Sequence, residues 1–132
     1  MCVFCEIAKG NIPGTRVYQD DQVFAILDLS QVTKGHTLVI PKEHYDTLLD
    51  VPEDVLNDMI RVSRNIAKLQ MDNLHARGFN ILNNGYPSAG QTVMHAHIHV
   101  IPRYDEKDAV LFAFNESPKQ DLSQVAKELT GR

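Results

Sequence analysis

The chain has 132 residues, enough for one domain with a substantial hydrophobic core and too few for a multidomain assembly at ~100–200 residues per domain. Hydrophobic residues make up 43% and charged residues 23%, which excludes a disordered chain or a fibre. With 13 Lys plus Arg against 17 Asp plus Glu and no basic run to track a phosphate backbone, no nucleic-acid partner is expected; nor is a membrane partner, since no stretch approaches the ~20 apolar residues of a span.

In chain order, residues 2–9 read as a short helical turn ending at Gly10, and Ile12-Pro13-Gly14 as a turn. Arg16–Gln19 and Val23–Leu27 flank Asp20-Asp21 as a hairpin, and a third strand, Thr37 to Ile40, stops at Pro41. Asp50 with Glu53, and Pro52 between them, marks a helix start. Val55, Met59, Val62, Ile66 and Leu69 follow at spacings of four and three, which predicts a helix of roughly five turns laying one apolar stripe on a sheet. Gly78 breaks the pattern. Phe79 to Leu82 begins another strand, a polar loop runs from Asn83 to Gln91, and Val93 to Ile101 reads as a long strand closed by Pro102. Ser117-Pro118 with Gln120 opens a C-terminal helix through Leu122, Val125, Ala126 and Leu129, ending near Gly131.

The expected fold is α+β: an antiparallel sheet of about five strands with one long helix and a shorter C-terminal one. The absence of repeats and linkers predicts a single domain over 1–132, its motifs confined to about 2–103 and residues 104–132 forming a C-terminal extension. The N-terminus MCVFCEIAKG lacks the charged and apolar regions of a secretory leader, so a cytoplasmic location is expected.

Three of the six histidines, His95, His97 and His99, alternate along the last predicted strand. Side chains alternate faces with period two, so these imidazoles share one side while Ala96, Ile98 and Val100 take the other. From Phe79 to Pro102 there is no Asp, Glu, Lys or Arg, where the 23% charged content predicts about five. An anion could sit there without carboxylate repulsion. Asn83, Asn84, Gln91, Thr92 and the backbone of Gly85 and Gly90 supply neutral donors, and Ser88-Ala89-Gly90-Gln91-Thr92 reads as a phosphate or oxyanion loop. A neutral imidazole is a competent nucleophile toward phosphorus, and the phosphoramidate it forms can be hydrolysed in a second step. The residues therefore point to nucleophilic attack on a phosphoryl group, with a mononuclear metal site made by all three histidines as the competing reading.

The run His95-Ala96-His97-Ile98-His99-Val100-Ile101, with Gly90-Gln91-Thr92-Val93 before it and Gly35-His36-Thr37-Leu38-Val39-Ile40-Pro41-Lys42 upstream, resembles the histidine triad family of nucleotide hydrolases and transferases. The resemblance implies that His97 is the nucleophile at the α-phosphorus of a nucleotide, that His99 contacts the phosphate and that His36 orients and stabilises the nucleophile. It implies phosphate contacts from Asn84, Gln91 and Thr92, with the Thr92 hydroxyl assisting the leaving group, and places Gly90 and Val93 among the nucleotide-binding residues. The resemblance also implies that Asp28 takes ribose hydroxyls and that Val3, Phe4, Ile7, Ile26, Leu27 and Leu29 line the base pocket, although an ordinary core role fits the apolar residues equally. The implied activity is release of a nucleoside 5′-monophosphate from a purine phosphoramidate or related conjugate. A dinucleoside polyphosphate hydrolase and a non-catalytic nucleotide- or metal-binding module are the alternatives. The implied assembly is a homodimer. The chain departs from the family's eukaryotic phosphoramidase branch in having no Trp and in running 31 residues beyond Ile101.

Cys2 and Cys5 have the C-x-x-C spacing of half a tetrahedral zinc site, of a redox pair, or of two inert thiols. The resemblance implies that His44 of the Pro-Lys-x-His stretch and His95 complete a structural zinc site. His75 matches nothing in the family and reads as a surface residue.

Overall fold

Two apolar faces on one sheet explain why the central strands carry continuous rather than alternating hydrophobicity. The computed structural model describes residues 1–131. It contains α1 (Val3–Ala8), β1 (Arg16–Gln19), β2 (Val23–Leu27), β3 (Thr37–Pro41), α2 (Glu53–Asn73), β4 (Gly78–Leu82), β5 (Ile98–Arg103) and α3 (Leu122–Thr130). The strands form one antiparallel sheet in the order β1-β2-β3-β5-β4. Val23, Ala25, Val39, Ala96, Ile98 and Val100 pack against Met59, Val62, Ile66 and Ala67 of α2. Their neighbours in sequence, Phe24, Ile26, Leu38 and Ile40, point the other way and pack against Phe4 and Ile7 of α1. Each such side chain fully buried is worth about 1.5–3 kcal/mol, so both faces contribute to holding β3 and β5 together. The triad histidines project to the α1 side.

The strand bearing the histidines differs from expectation. Predicted from Val93, β5 begins only at Ile98 and continues through Pro102 to Arg103. Extending the β3–β5 register, Thr37 opposite Val100 and Val39 opposite Ile98, would set Pro41 opposite Ala96. Pro41 has no N–H to donate, and the Ala96 N–H goes instead to the Tyr45 carbonyl at 2.6 Å. His95, in a bend where its N–H meets the Val93 carbonyl at 2.9 Å, and His97 therefore lie in the irregular lead-in to β5, and only His99 is on the strand.

Helix α2 runs for 21 residues with Pro52 before its first turn, and its buried stripe ends on Gln70 rather than the predicted Leu69, which is 51% exposed. The stripe takes its last step by four from Ile66, and Gln70 Nε2 then donates to the carbonyls of Gly35 and Val100, both at 3.0 Å. His75, with φ 61°, turns the chain out of α2 and is exposed as expected. Helix α3 starts later than predicted: Asp121, not Ser117, caps it by accepting from the Gln124 N–H. Every residue from Leu111 to Gly131 is exposed. None of the described helices is long and apolar enough to cross a membrane.

Candidate functional site

A rigid loop between β2 and β3 delivers Asp28 and His36. Gln31 holds its base by donating from Nε2 to the carbonyls of Asp28 (2.6 Å) and His36 (2.8 Å) while its Oε1 accepts from the Gly35 N–H. Gly35 sits at φ +99°, so the turn requires glycine for its conformation, and a Cβ there would also displace the tip of Leu74, 2.4 Å away. His36 is thereby buried with its Nε2 2.9 Å from His99 Nδ1 and 3.6 Å from Asp28 Oδ2. The other Asp28 oxygen accepts from the Ser30 N–H at 2.7 Å.

His97 is fixed from both ends. Its Nδ1 lies 2.7 Å from the carbonyl of His95, and its own carbonyl accepts from Asn83 Nδ2 at 2.9 Å. A ring nitrogen facing a carbonyl must carry the proton, so the lone pair of neutral His97 is on Nε2. The Phe4 ring packs edge-on against it at 5.1 Å between centroids. Burial holds His97 below the ordinary imidazole range, against the His95 carbonyl and Asp28, which favour the charged form. Burial with His97 and His36 beside it lowers His99 to about 4. Both rings are neutral at pH 7.

His97 and His99 open onto a cavity of about 400 Å³ lined by Val3, Phe4, Ile7, Ile26, Leu27, Asp28, Leu29, Thr92 and Val93 among others, a volume in the range of small-molecule sites. The residues expected for a base pocket and a ribose carboxylate are thus brought together, with Leu29 wholly exposed at the edge. Thr92, Val93 and Val3 also line a second cavity next to it, which continues to Cys2, His44 and Asp46.

The loop residues fare differently. Gln91 was expected to hold phosphate, but its side chain is spent on the loop itself. Its Oε1 accepts from the Tyr86 N–H, and Nε2 donates to the carbonyls of Asp46 (2.7 Å) and Val93 (2.9 Å), leaving no donor free. Gly90, at φ +97°, lies beside Asn84, whose amide is within 4 Å of where a Cβ would stand, and neither residue lines the cavity. The Gln91 side chain thus holds the shape of the loop.

The second cluster joins Cys2, Cys5, His44 and His95, with one donor atom from each within 4.8 Å of the others. His95 Nδ1 is 3.2 Å from Cys2 Sγ and 3.5 Å from Cys5 Sγ, and His44 Nδ1 is 3.5 Å from Cys5 Sγ. In a tetrahedral site with Zn–S ~2.3 Å and Zn–N ~2.0–2.1 Å, sulfur and nitrogen stand about 3.5 Å apart, so the donor set fits the ion. The outer nitrogens are held as ligating imidazoles usually are: His95 Nε2 donates to the Pro41 carbonyl and His44 Nε2 pairs with Asp46 Oδ1, both at 2.8 Å. Burial would raise the Cys2 thiol, but hydrogen bonds from the Cys5 backbone and thiol and from His44 outweigh it and hold Cys2 below its ordinary range.

Sequence reading missed Asn83 as the anchor of His97, Asp46 as the partner of His44, and the Pro41 carbonyl. The i, i+2 spacing of His44 and Asp46 was a visible signal; a carbonyl partner leaves none.

His99 sets a pH expectation for stability. An unfolded imidazole titrates near ~6.5, and the folded ring titrates at about 4, so between those values the unfolded chain binds more protons. The stabilisation is complete above pH ~6.5 and is lost as pH falls through that window toward about 4. Urea midpoints measured from pH 7.5 down to 4 should fall for the wild type and fall less steeply for His99→Gln; parallel profiles would reject this contribution.

Residues 9–106 match the HIT domain family. The chain is 45% identical over 135 residues to protein hit of Bacillus subtilis, covering 99% of this chain and 93% of that protein. It is 39% identical over 127 residues to an adenylylsulfatase of Arabidopsis thaliana, covering 96% of this chain and 63% of the other. It is 33% identical over 134 residues to an adenosine 5′-monophosphoramidase of Saccharomyces cerevisiae, covering 99% and 82%. Among solved structures, a HIT family member from Bacillus subtilis superposes with a TM-score of 0.91 at 38% identity, covering 99% of this chain and 96% of that one. A zinc-bound histidine triad family protein from Mycobacterium smegmatis superposes with a TM-score of 0.78 at 36% identity, covering 99% and 97%.

Proposed function

Because the chain belongs to the HIT domain family, we propose that it is a nucleotide-binding hydrolase acting at the α-phosphate of a purine nucleoside phosphoramidate or related conjugate. It cleaves a P–N or P–O–P bond through a nucleotidyl-His97 intermediate and releases a nucleoside 5′-monophosphate. The observation that carries this reading is the 2.7 Å contact from His97 Nδ1 to the His95 carbonyl, which leaves an unprotonated Nε2 in a cavity of about 400 Å³. The yeast relative's phosphoramidase and the plant relative's adenylylsulfatase names support an adenylate with a variable leaving group.

In the first step the Nε2 lone pair forms a bond to phosphorus as the bond to the leaving group breaks, and the leaving group departs with that electron pair and is protonated. Thr92 lies where the two cavities meet, suited to donate from its hydroxyl to the departing atom. In the second step water adds to phosphorus and gives up a proton to solvent, offsetting the one taken by the leaving group, while the N–P bond breaks with its electron pair returning to Nε2 and restores neutral His97. His99 can donate to a phosphate oxygen from Nε2 when its Nδ1 accepts from His36 Nε2, which gives the buried 2.9 Å contact its role as a tautomer lock. Asp28 keeps one oxygen for ribose hydroxyls, and Phe4, Ile7, Leu27 and Leu29 flank the base.

Cys2, Cys5, His44 and His95 are read as the holders of one structural zinc, a reading that the zinc-bound relative supports. When bound, the ion supplies a crosslink between the N-terminal helix and the segment carrying His97. Residues 1–132 are read as one such domain with 104–132 as an extension, working in the cytoplasm.

The substrate test is a turnover screen over adenosine phosphoramidate, an aminoacyl-adenylate and diadenosine polyphosphates. Release of AMP with the amine-bearing compounds preferred is expected; preference for the diadenosine compounds would favour the rival hydrolase, and binding without turnover of any would favour a non-catalytic module.

A homodimer is also proposed. β4 is an edge strand with Phe79 49% and Ile81 42% exposed, a surface that a two-fold partner would cover. Light scattering at micromolar concentration should return twice the 14.9 kDa chain mass; a value near the chain mass would reject the dimer.

A further inference from the structure

Besides the Cys2–Cys5–His44–His95 cluster, Asp28, His36 and His99 form the other group among the described residues whose donor atoms converge within 4.8 Å. The donors are His36 Nε2, His99 Nδ1 and an Asp28 carboxylate oxygen. His36 Nε2 is 2.9 Å from His99 Nδ1 and 3.6 Å from Asp28 Oδ2. Ligand atoms at ~2.0–2.2 Å from one tetrahedral ion stand about 3.4 Å from each other, a value that the two separations from His36 Nε2 bracket, while the third pair lies within 4.8 Å. Two imidazoles and a carboxylate suit a borderline divalent cation such as zinc or cobalt and are a poor match for magnesium or calcium, which take oxygen ligands.

The two imidazole donors can ligate once the ion replaces the hydrogen bond between them. Oδ1 of Asp28 is engaged with the Ser30 N–H, so Oδ2 is the available oxygen. His36 Nδ1 is buried without a close hydrogen-bond partner and the Ser30 backbone favours a proton on this ring, so moving the shared proton to Nδ1 when an ion replaces the His36–His99 hydrogen bond leaves no additional buried atom unpaired. Both rings stay neutral in the exchange, the shared proton passing to the ring nitrogen that does not ligate. Asp28 and His99 line the cavity, so the fourth position of the ion opens onto it.

We propose that Asp28, His36 and His99 bind a second, weaker divalent transition-metal ion that competes with nucleotide. The competition arm rests on the function proposed above, because the ion takes the Asp28 oxygen that a ribose hydroxyl would use and stands at the cavity wall where the nucleotide would lie. The cation site itself does not depend on that reading.

The test is calorimetric and spectroscopic titration of cobalt(II) into zinc-loaded protein, with and without 5′-AMP. The expected result is one further equivalent whose spectrum lacks thiolate-to-metal charge transfer, lost in Asp28→Asn and in His99→Gln. AMP should weaken cobalt binding by the same factor by which cobalt weakens AMP binding. The Asp28→Asn variant keeps the size of the side chain, and an unchanged far-UV spectrum shows that it is folded. No second equivalent, or one that survives both substitutions, overturns the site even where AMP binds normally. Cobalt and AMP binding independently of each other overturns the competition. Protein that takes the second equivalent but never binds AMP supports the cation site and overturns the nucleotide reading instead.

Discussion

Replacing His97 by Gly or Asn is expected to lower turnover by several orders of magnitude while nucleotide binding persists. The proposed function implies a division of labour within the cavity: the base, ribose and phosphate contacts would come from other side chains, whereas the lone pair attacking phosphorus would be that of His97 alone. The neighbours cannot substitute. His99 Nδ1 is occupied by His36, and His95 turns both ring nitrogens away, toward the cysteines and the Pro41 carbonyl. His99→Ala and His36→Ala should therefore keep partial activity. Rapid acid quench during turnover, followed by mass spectrometry of peptides, should find the nucleotidyl group on His97. An adduct on another residue, or wild-type turnover in the His97 variants, would mean that the mechanism is wrong.

Cys5→Ser should reduce zinc from about one per chain to near none and lower the melting temperature by several degrees, since each kcal/mol lost moves the midpoint of a domain this size by roughly 3–6 °C. Cys5 is the sulfur closest to both histidines together, at 3.5 Å from each Nδ1. Its loss leaves three ligands, one of them next to the chain terminus at Cys2. His95→Ala should act through the same route, by loss of zinc and stability. Elemental analysis and thermal denaturation of the purified protein and the variant check both points. Zinc-free wild-type protein with the same melting temperature as zinc-loaded protein would remove the ion from the account.

Much of the fold could be read along the chain because its signals are local. The hairpin β1–β2 follows from Asp20-Asp21 between two short β-branched and aromatic runs, and α2 from apolar residues at spacings of three and four. The errors came where a neighbour decides. Pro41 on β3 determines where β5 begins, although more than fifty residues separate Pro41 from Ala96, and no pattern within 93–101 reports that. Likewise, no pattern in the loop reports that the Gln91 amide engages three backbone groups, one of them at Asp46. Leu69 fits the helical period, but a polar Gln70 reaching two carbonyls at the sheet turned the buried face past it.

By itself the sequence determined the chemistry available to this protein: three imidazoles in phase in an uncharged stretch of 24 residues, a C-x-x-C pair at the start, and a composition that folds into a small α+β body. Side-chain type and period are carried by neighbours a few residues apart, and such information survives in one dimension. Only the tertiary structure decided which nitrogen of each histidine faces what. His97 Nδ1 meets the His95 carbonyl, His95 Nδ1 meets Cys2, and His36, sixty-three residues from His99, meets that ring at 2.9 Å. An imidazole is a nucleophile, a donor or a metal ligand according to where its one proton sits, and the partner that fixes that proton is brought up by the fold.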